Sequence, residues 1–183
     1  MTKELLEKVA VEISLCKECK VGKEGMPVPG EGSPTAKVVF IGEAPGREEA
    51  LCGRPFIGKS GKYLRQTIVS IGLKEEDVFI TSPVKYLPVY RTPTPEDIEH
   101  GMTHLTKQFN IIKPQLVVLM GAKAALGVLG IKFSVEMHGT IIEKEGRKYF
   151  ITIHPAAQFH SPKYKGILDE DFANLKKIIE RKK

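Results

Sequence analysis

The sequence predicts an α/β fold, a three-layer α/β/α sandwich built on a central four-stranded parallel sheet. Four short apolar runs, each bounded by turn formers, read as buried strands: 38–41 (Val-Val-Phe-Ile), 78–80 (Val-Phe-Ile), 116–120 (Leu-Val-Val-Leu-Met) and 149–153 (Tyr-Phe-Ile-Thr-Ile). The stretches between them place apolar residues three and four apart, the spacing of one helix face. Strands that alternate with helices predict parallel βαβ units, with helices on both faces of the sheet.

Taken in order, residues 2–14 carry Leu5, Leu6, Val9 and Ile13 at helical spacing, a short amphipathic helix. Cys16 and Cys19 follow. Residues 22–34 then hold four glycines and three prolines, which predicts loop. Beyond the first strand, Leu64, Ile68 and Ile71 mark a helix. Ile98, Met102, Leu105, Phe109 and Ile112 mark another, opened by Thr94-Pro95-Glu96 as cap, first-turn proline and acidic first turn. Phe172, Leu175, Ile178 and Ile179 mark the last, and the closing run Arg181-Lys182-Lys183 reads as solvated.

At 183 residues, with no repeat, linker or low-complexity segment, residues 1–183 are expected to form one domain. A composition of 42% hydrophobic and 27% charged residues supplies a core and excludes a disordered tail. No run approaches the roughly 18 apolar residues of a membrane span, and the first residues lack the pattern of a secretory signal. Three cysteines argue against a disulfide scaffold. These features predict a cytoplasmic protein that works as a monomer, and the net charge of +6 permits a polyanionic partner.

In an open α/β sheet the binding crevice lies beyond the carboxyl ends of the strands. Gly42-Glu43-Ala44-Pro45-Gly46 follows the first strand, Thr81-Ser82-Pro83-Val84-Lys85 the second, Gly121-Ala122-Lys123 the third and His154-Pro155-Ala156-Ala157 the fourth. A carboxylate, a hydroxyl and an imidazole should therefore converge on one edge. The segment from Gly53 to Ser60 also satisfies the letters of a phosphate-binding P-loop. That motif needs a strand running straight into its first glycine, whereas here the nearest predicted strand ends at 41. A loop that places Phe56 in a pocket is the better reading.

The ordered set Gly42-Glu-Ala-Pro-Gly46, Glu49 and Gly53-Arg-Pro-Phe56-Ile-Gly58 resembles the first motif of family-4 uracil-DNA glycosylases. Val28-Pro-Gly-Glu-Gly32, Ile80-Thr-Ser-Pro-Val-Lys85, Arg91-Thr-Pro-Thr-Pro-Glu96 and His154-Pro-Ala-Ala157 extend the resemblance over about residues 14–180. It implies the same sandwich and an enzyme of base excision repair. Such an enzyme flips uracil out of DNA and hydrolyses its N-glycosidic bond, leaving an abasic site. By the same resemblance Glu43 and Glu49 serve the sugar and the attacking water, His154 donates to the departing base, and Phe56 stacks on it. Backbone at Gly42 and Ala44, with Ser82, lines the base edge. Lys59, Ser60, Lys85, Arg91, Gln158 and Phe159 face DNA, either single- or double-stranded, with Lys62, Lys163 and Lys165 near the mouth. Phe159 is the candidate wedge.

Two departures from the family pattern stand out. Many relatives carry an asparagine where Ser82 stands, so the substrate range is open. Alternatives are a catalytically silent or altered-specificity DNA-binding relative and, further off, a P-loop nucleotide binder. The family also holds an iron–sulfur cluster on four cysteines. Cys16 and Cys19 match the first pair, while Tyr86 and Gly101 occupy the later positions and Cys52 is no natural replacement. A four-thiolate cluster cannot be built from this chain. The favoured reading is therefore no cofactor. The second is a zinc site that adds His100 and His104, one helical turn apart, to the two cysteines.

Overall fold

The computed structural model describes residues 1–180; the 181–183 run lies outside them. The four expected strands appear as β3 (Val38–Ile41), β4 (Val78–Thr81), β6 (Leu116–Met120) and β8 (Arg147–Thr152). They run parallel in the order β4-β3-β6-β8. Two further strands extend this sheet: β2 (Glu31–Gly32) pairs antiparallel with β4, and β7 (Ile141–Lys144) pairs antiparallel with β8. The sheet is therefore six-stranded with a four-stranded parallel centre. Two-residue strands β1 (Lys23–Glu24) and β5 (Leu87–Pro88) pair apart from it. The glycine- and proline-rich stretch expected to be loop thus contributes β1 and β2.

Alternation along the strands divides the core between two faces. Val38 and Phe40 of β3 point to one side, where they join Leu64 and Ile68 of α3 (Lys59–Ser70) and Phe172 and Leu175 of α6 (Pro162–Glu180). Val39 and Ile41 point to the other, against Leu105 and Phe109 of α4 (Pro95–Ile112) and Ala124 of α5 (Ala122–Leu129). This is the expected α/β/α sandwich. Helix α4 starts as its sequence requires: the Asp97 N–H donates to Thr94 Oγ1 at 3.2 Å, and the Thr94 N–H donates to Asp97 Oδ2 at 2.9 Å. Helix α1 (Thr2–Leu15) lies against α4 and buries Val9 and Ile13 with Cys19 and Tyr86.

This topology fixes where a ligand can sit. The chain leaves β3 for β4 on one side and later returns to β6 on its other side. The crevice beyond the carboxyl ends of β3 and β6 is the topological switch point, the preferred binding position in such sheets.

Candidate active site

A cavity of about 310 Å³ opens at that switch point, and Glu43, Ala44, Glu49, Phe56, Ser60, Ser82, Arg91 and His154 all help to line it. The acid, the ring and the imidazole predicted from distant segments therefore meet at one place. Gly121, which follows β6 and has φ +96°, explains how two of them approach. A Cβ built there would lie 2.5 Å from Glu43 Oε1 and 3.1 Å from His154 Cβ. Only glycine accepts both that backbone conformation and those neighbours.

Each polar group is held by its surroundings. Glu43 Oε1 accepts the Lys123 N–H at 3.1 Å, in the first turn of α5, which leaves the rest of the carboxylate to the cavity. His154 Nδ1 accepts the Ala156 N–H at 3.1 Å. The proton of the neutral ring then sits on Nε2, making that atom a donor. Burial holds the His154 pKa below the ordinary histidine value, with Glu43 and Glu49 pulling it partly back.

Glu49 is placed differently from Glu43. It is 8% exposed, and its carboxylate accepts the N–H groups of Ile57 and Gly58 on Oε1, both at 2.9 Å, and that of Gly46 on Oε2 at 3.0 Å. These bonds tie the ends of the loop that carries Phe56. Phe56 itself has φ +52°, a left-handed conformation that costs a non-glycine residue about 1–3 kcal/mol and persists only where the surroundings enforce it. Arg65 supplies that enforcement from α3, donating through Nε to the Phe56 carbonyl at 2.9 Å and through Nη2 to the Pro55 carbonyl at 2.8 Å. Arg65 carries no motif signal, and only its place on the buried side of α3 marks it.

The same loop excludes the P-loop reading. Gly53 caps α2 (Arg47–Cys52) and Gly58 precedes α3, so the segment joins two helices, and the Ile57 and Gly58 N–H groups a phosphate would need are already bonded to Glu49.

Ser82 is 5% exposed, and its Oγ donates to the Val84 carbonyl at 2.7 Å. With its proton committed, that hydroxyl offers the cavity only lone pairs.

Around the mouth, Lys59 Nζ lies 4.1 Å from the centroid of the half-exposed Phe159 ring, with Ser60 beside it on the first turn of α3. Arg91 is exposed and reaches Glu24 at 3.0 Å. Gln158 is half-buried and donates to the Pro155 carbonyl at 3.1 Å. Lys62, Lys163 and Lys165 are exposed, and Lys165 pairs with Asp169 at 2.6 Å. Lys85 is a correction. It is 2% exposed and donates to Thr81 Oγ1 at 2.7 Å, Gln108 Oε1 at 2.9 Å and the Pro29 carbonyl at 3.2 Å. The chain turns inward after β4, so this ammonium braces the 22–34 segment and is out of reach of a phosphate.

A second polar cluster lies away from this cavity. Cys16, Cys19, His100 and His104 bring their ligand atoms within 4.8 Å of one another. Cys52 is exposed at the end of α2 and takes no part.

Comparison with known proteins agrees with the geometry. The family model described as the uracil DNA glycosylase superfamily matches residues 29–180. A type-4 uracil-DNA glycosylase of Archaeoglobus fulgidus is 36% identical over 98% of this chain and 96% of its own length. One from Sulfurisphaera tokodaii is 37% identical over 94% of this chain and 84% of its own. One from Thermotoga maritima is 35% identical over 97% and 96%.

Proposed function

The chain belongs to the uracil-DNA glycosylase superfamily, and from that membership and the cavity we propose that it is a DNA-repair enzyme that removes uracil from DNA and leaves an abasic site. The observation that carries this reading is the meeting of Glu43, Phe56 and His154 around one cavity at the sheet's switch point.

Hydrolysis of the N-glycosidic bond builds positive charge on the sugar and negative charge on the departing base while water attacks the anomeric carbon. Glu43, anchored through one oxygen, has the freedom in the other to orient that water and to face the developing cation. Glu49 acts as a positioning residue. Its three backbone bonds hold the Phe56 loop and leave little capacity for a proton transfer. Phe56 stacks on the extruded base, an interaction worth about 1–3 kcal/mol. His154 donates from Nε2 to the base oxygen that gains charge, and one such preorganised donor is worth about 2.7–4 kcal/mol. Backbone at Gly42 and Ala44 lines the base edge. Ser82 accepts the N3–H of uracil, which cytosine lacks, so an accept-only hydroxyl reads the same difference that a relative's asparagine would read with a longer side chain.

At the mouth, Lys59 and Ser60 meet backbone phosphate at the α3 N-terminus. Arg91 and Gln158 flank the strand, and Phe159 enters the stack vacated by the base. No helix among the described residues is long and apolar enough to cross a membrane. We read the chain as one domain acting as a monomer inside the cell.

The direct test incubates the protein with single-stranded and duplex oligonucleotides carrying uracil, hypoxanthine or xanthine, followed by alkaline cleavage of abasic sites. Scission confined to uracil supports the proposal. Binding without scission contradicts it and identifies a silent relative.

A further inference from the structure

The iron–sulfur cluster implied by the resemblance does not fit the residues present. Two of its four thiolates are missing, and at Gly101 the packing has no place for one: a Cβ there would lie 2.3 Å from the Pro83 carbonyl oxygen. Tyr86, at the other position, is 2% exposed and fills its space in the apolar cluster around Cys19.

What the fold assembles instead is a different donor set. Cys16 and Cys19 bracket the turn after α1, and His100 and His104 lie one turn apart on α4, giving Cys-x2-Cys and His-x3-His spacings. His100 Nε2 is 3.2 Å from Cys16 Sγ and 3.3 Å from Cys19 Sγ. A tetrahedral ion bound at zinc's usual ligand distances holds its ligand atoms roughly 3.4–3.8 Å apart, close to these separations. His104 is 6% exposed, yet neither of its ring nitrogens has a hydrogen-bond partner. A buried imidazole with both nitrogens orphaned is costly unless a ligand completes it. The surroundings suit a metal as well. The Cys19 N–H donates to Cys16 Sγ at 3.3 Å, and Glu18 lies 3.2 Å from His100 Nδ1, the carboxylate–histidine contact that orients a metal-bound ring.

We propose that Cys16, Cys19, His100 and His104 bind a single zinc ion in a closed Cys2His2 site that fastens the segment after α1 to helix α4. The inference is independent of the uracil assignment. Two thiolates offset the charge of the dication, so the loaded site is neutral, as its partial burial requires. A two-iron Cys2His2 cluster is the chemical rival. It puts thiolates and imidazoles on different irons, and no imidazole nitrogen would then touch both sulfurs as His100 Nε2 does. The site has no open position for a reactant. Its effect on the enzyme is to stiffen a wall, because the 82–88 segment between the two sites carries both Ser82 and Leu87 of the active cavity.

Elemental analysis of the purified protein tests this first. One zinc per chain without acid-labile sulfide is expected, and iron with sulfide overturns the proposal; protein isolated without metal is decided by the second measurement. That second measurement strips the protein with chelator and titrates it with cobalt(II). The expected result is saturation at one equivalent, with intense visible bands of tetrahedral cobalt and a thiolate-to-cobalt charge-transfer band in the near ultraviolet. Cys52→Ser keeps these bands, and Cys19→Ser, which leaves Cys16 as the one thiolate, reduces the charge-transfer band to about half. Wild-type protein that takes up no cobalt, or gives only the weak spectrum of octahedral cobalt, overturns the site even if a variant fails to fold.

Discussion

The Phe56 ring rests on the backbone of Gly42 so closely that a Cβ there would lie 2.5 Å from Phe56 Cζ. The glycine that follows β3 thus decides where the aromatic floor of the cavity lies, and the same floor runs on to His154, whose ring centroid is 5.8 Å from that of Phe56 at an interplanar angle of 28°.

Gly42→Ala should therefore act on catalysis through Phe56. The methyl group displaces the ring, and the variant loses excision rate on uracil oligonucleotides by about 10- to 100-fold, the equivalent of the stacking interaction. Phe56→Ala should lose a similar factor, and the double variant little more, because both remove one contact. Additive losses in single-turnover kinetics would show that the two act separately.

The half-buried imidazole of His154 bears on acid stability. Since the folded-state pKa of His154 lies below the ordinary value of about 6.5, the unfolded chain binds a proton that the folded chain refuses in the window between the two. Its contribution to stability is complete above that window and falls as pH drops through it. Urea denaturation between about pH 7 and pH 5 should show a steeper loss for wild type than for His154→Gln, and the difference isolates this histidine from the others. Parallel declines would contradict the account.

The lysines separate into those that face solvent and one that does not. Lys59→Ala should reduce the slope of log affinity against log salt by about one for uracil-free DNA. Lys85→Met should leave that slope unchanged, because its ammonium is spent on Thr81, Gln108 and Pro29. A lowered slope for Lys85→Met in fluorescence anisotropy would return it to the DNA surface.

Ser82 tests how the base is read. Ser82→Ala removes the only side-chain acceptor proposed for N3–H, and the excision rate for uracil should fall by about 10-fold or more, near the worth of one hydrogen bond. An unchanged rate would assign discrimination to the backbone alone.

Much of this architecture is legible in the letters, for identifiable reasons. Strands buried on both faces, such as 38–41 and 116–120, announce themselves as unbroken apolar runs, and Thr94-Pro95 fixes the start of α4 through capping chemistry. Strand β7 escapes because its exposed edge mixes Ile141 and Ile142 with Glu143 and Lys144, although Glu145-Gly146, both at positive φ, is the two-residue turn that marks a hairpin. The site residues are legible because loops after parallel strands must share one edge. What those letters cannot convey is the direction a side chain takes once the loop closes. Lys85 sits in the same loop as Ser82 and turns the other way. Glu43 and Glu49 look equivalent in the motif and both line the cavity, and only the fold bonds one to a single backbone N–H and the other to three. The pairing of Cys16 and Cys19 with His100 depends on α1 lying against α4, a contact between segments some 80 residues apart.

Glu43 is the carboxylate proposed to serve the reaction. Glu43→Gln keeps the acceptor for the Lys123 N–H and removes the charge. Its single-turnover excision rate on uracil DNA, measured beside its DNA affinity, should drop by roughly 10²–10⁴-fold while binding stays at the wild-type level. A near wild-type rate, or a loss of affinity as large as the loss of rate, would contradict the assignment.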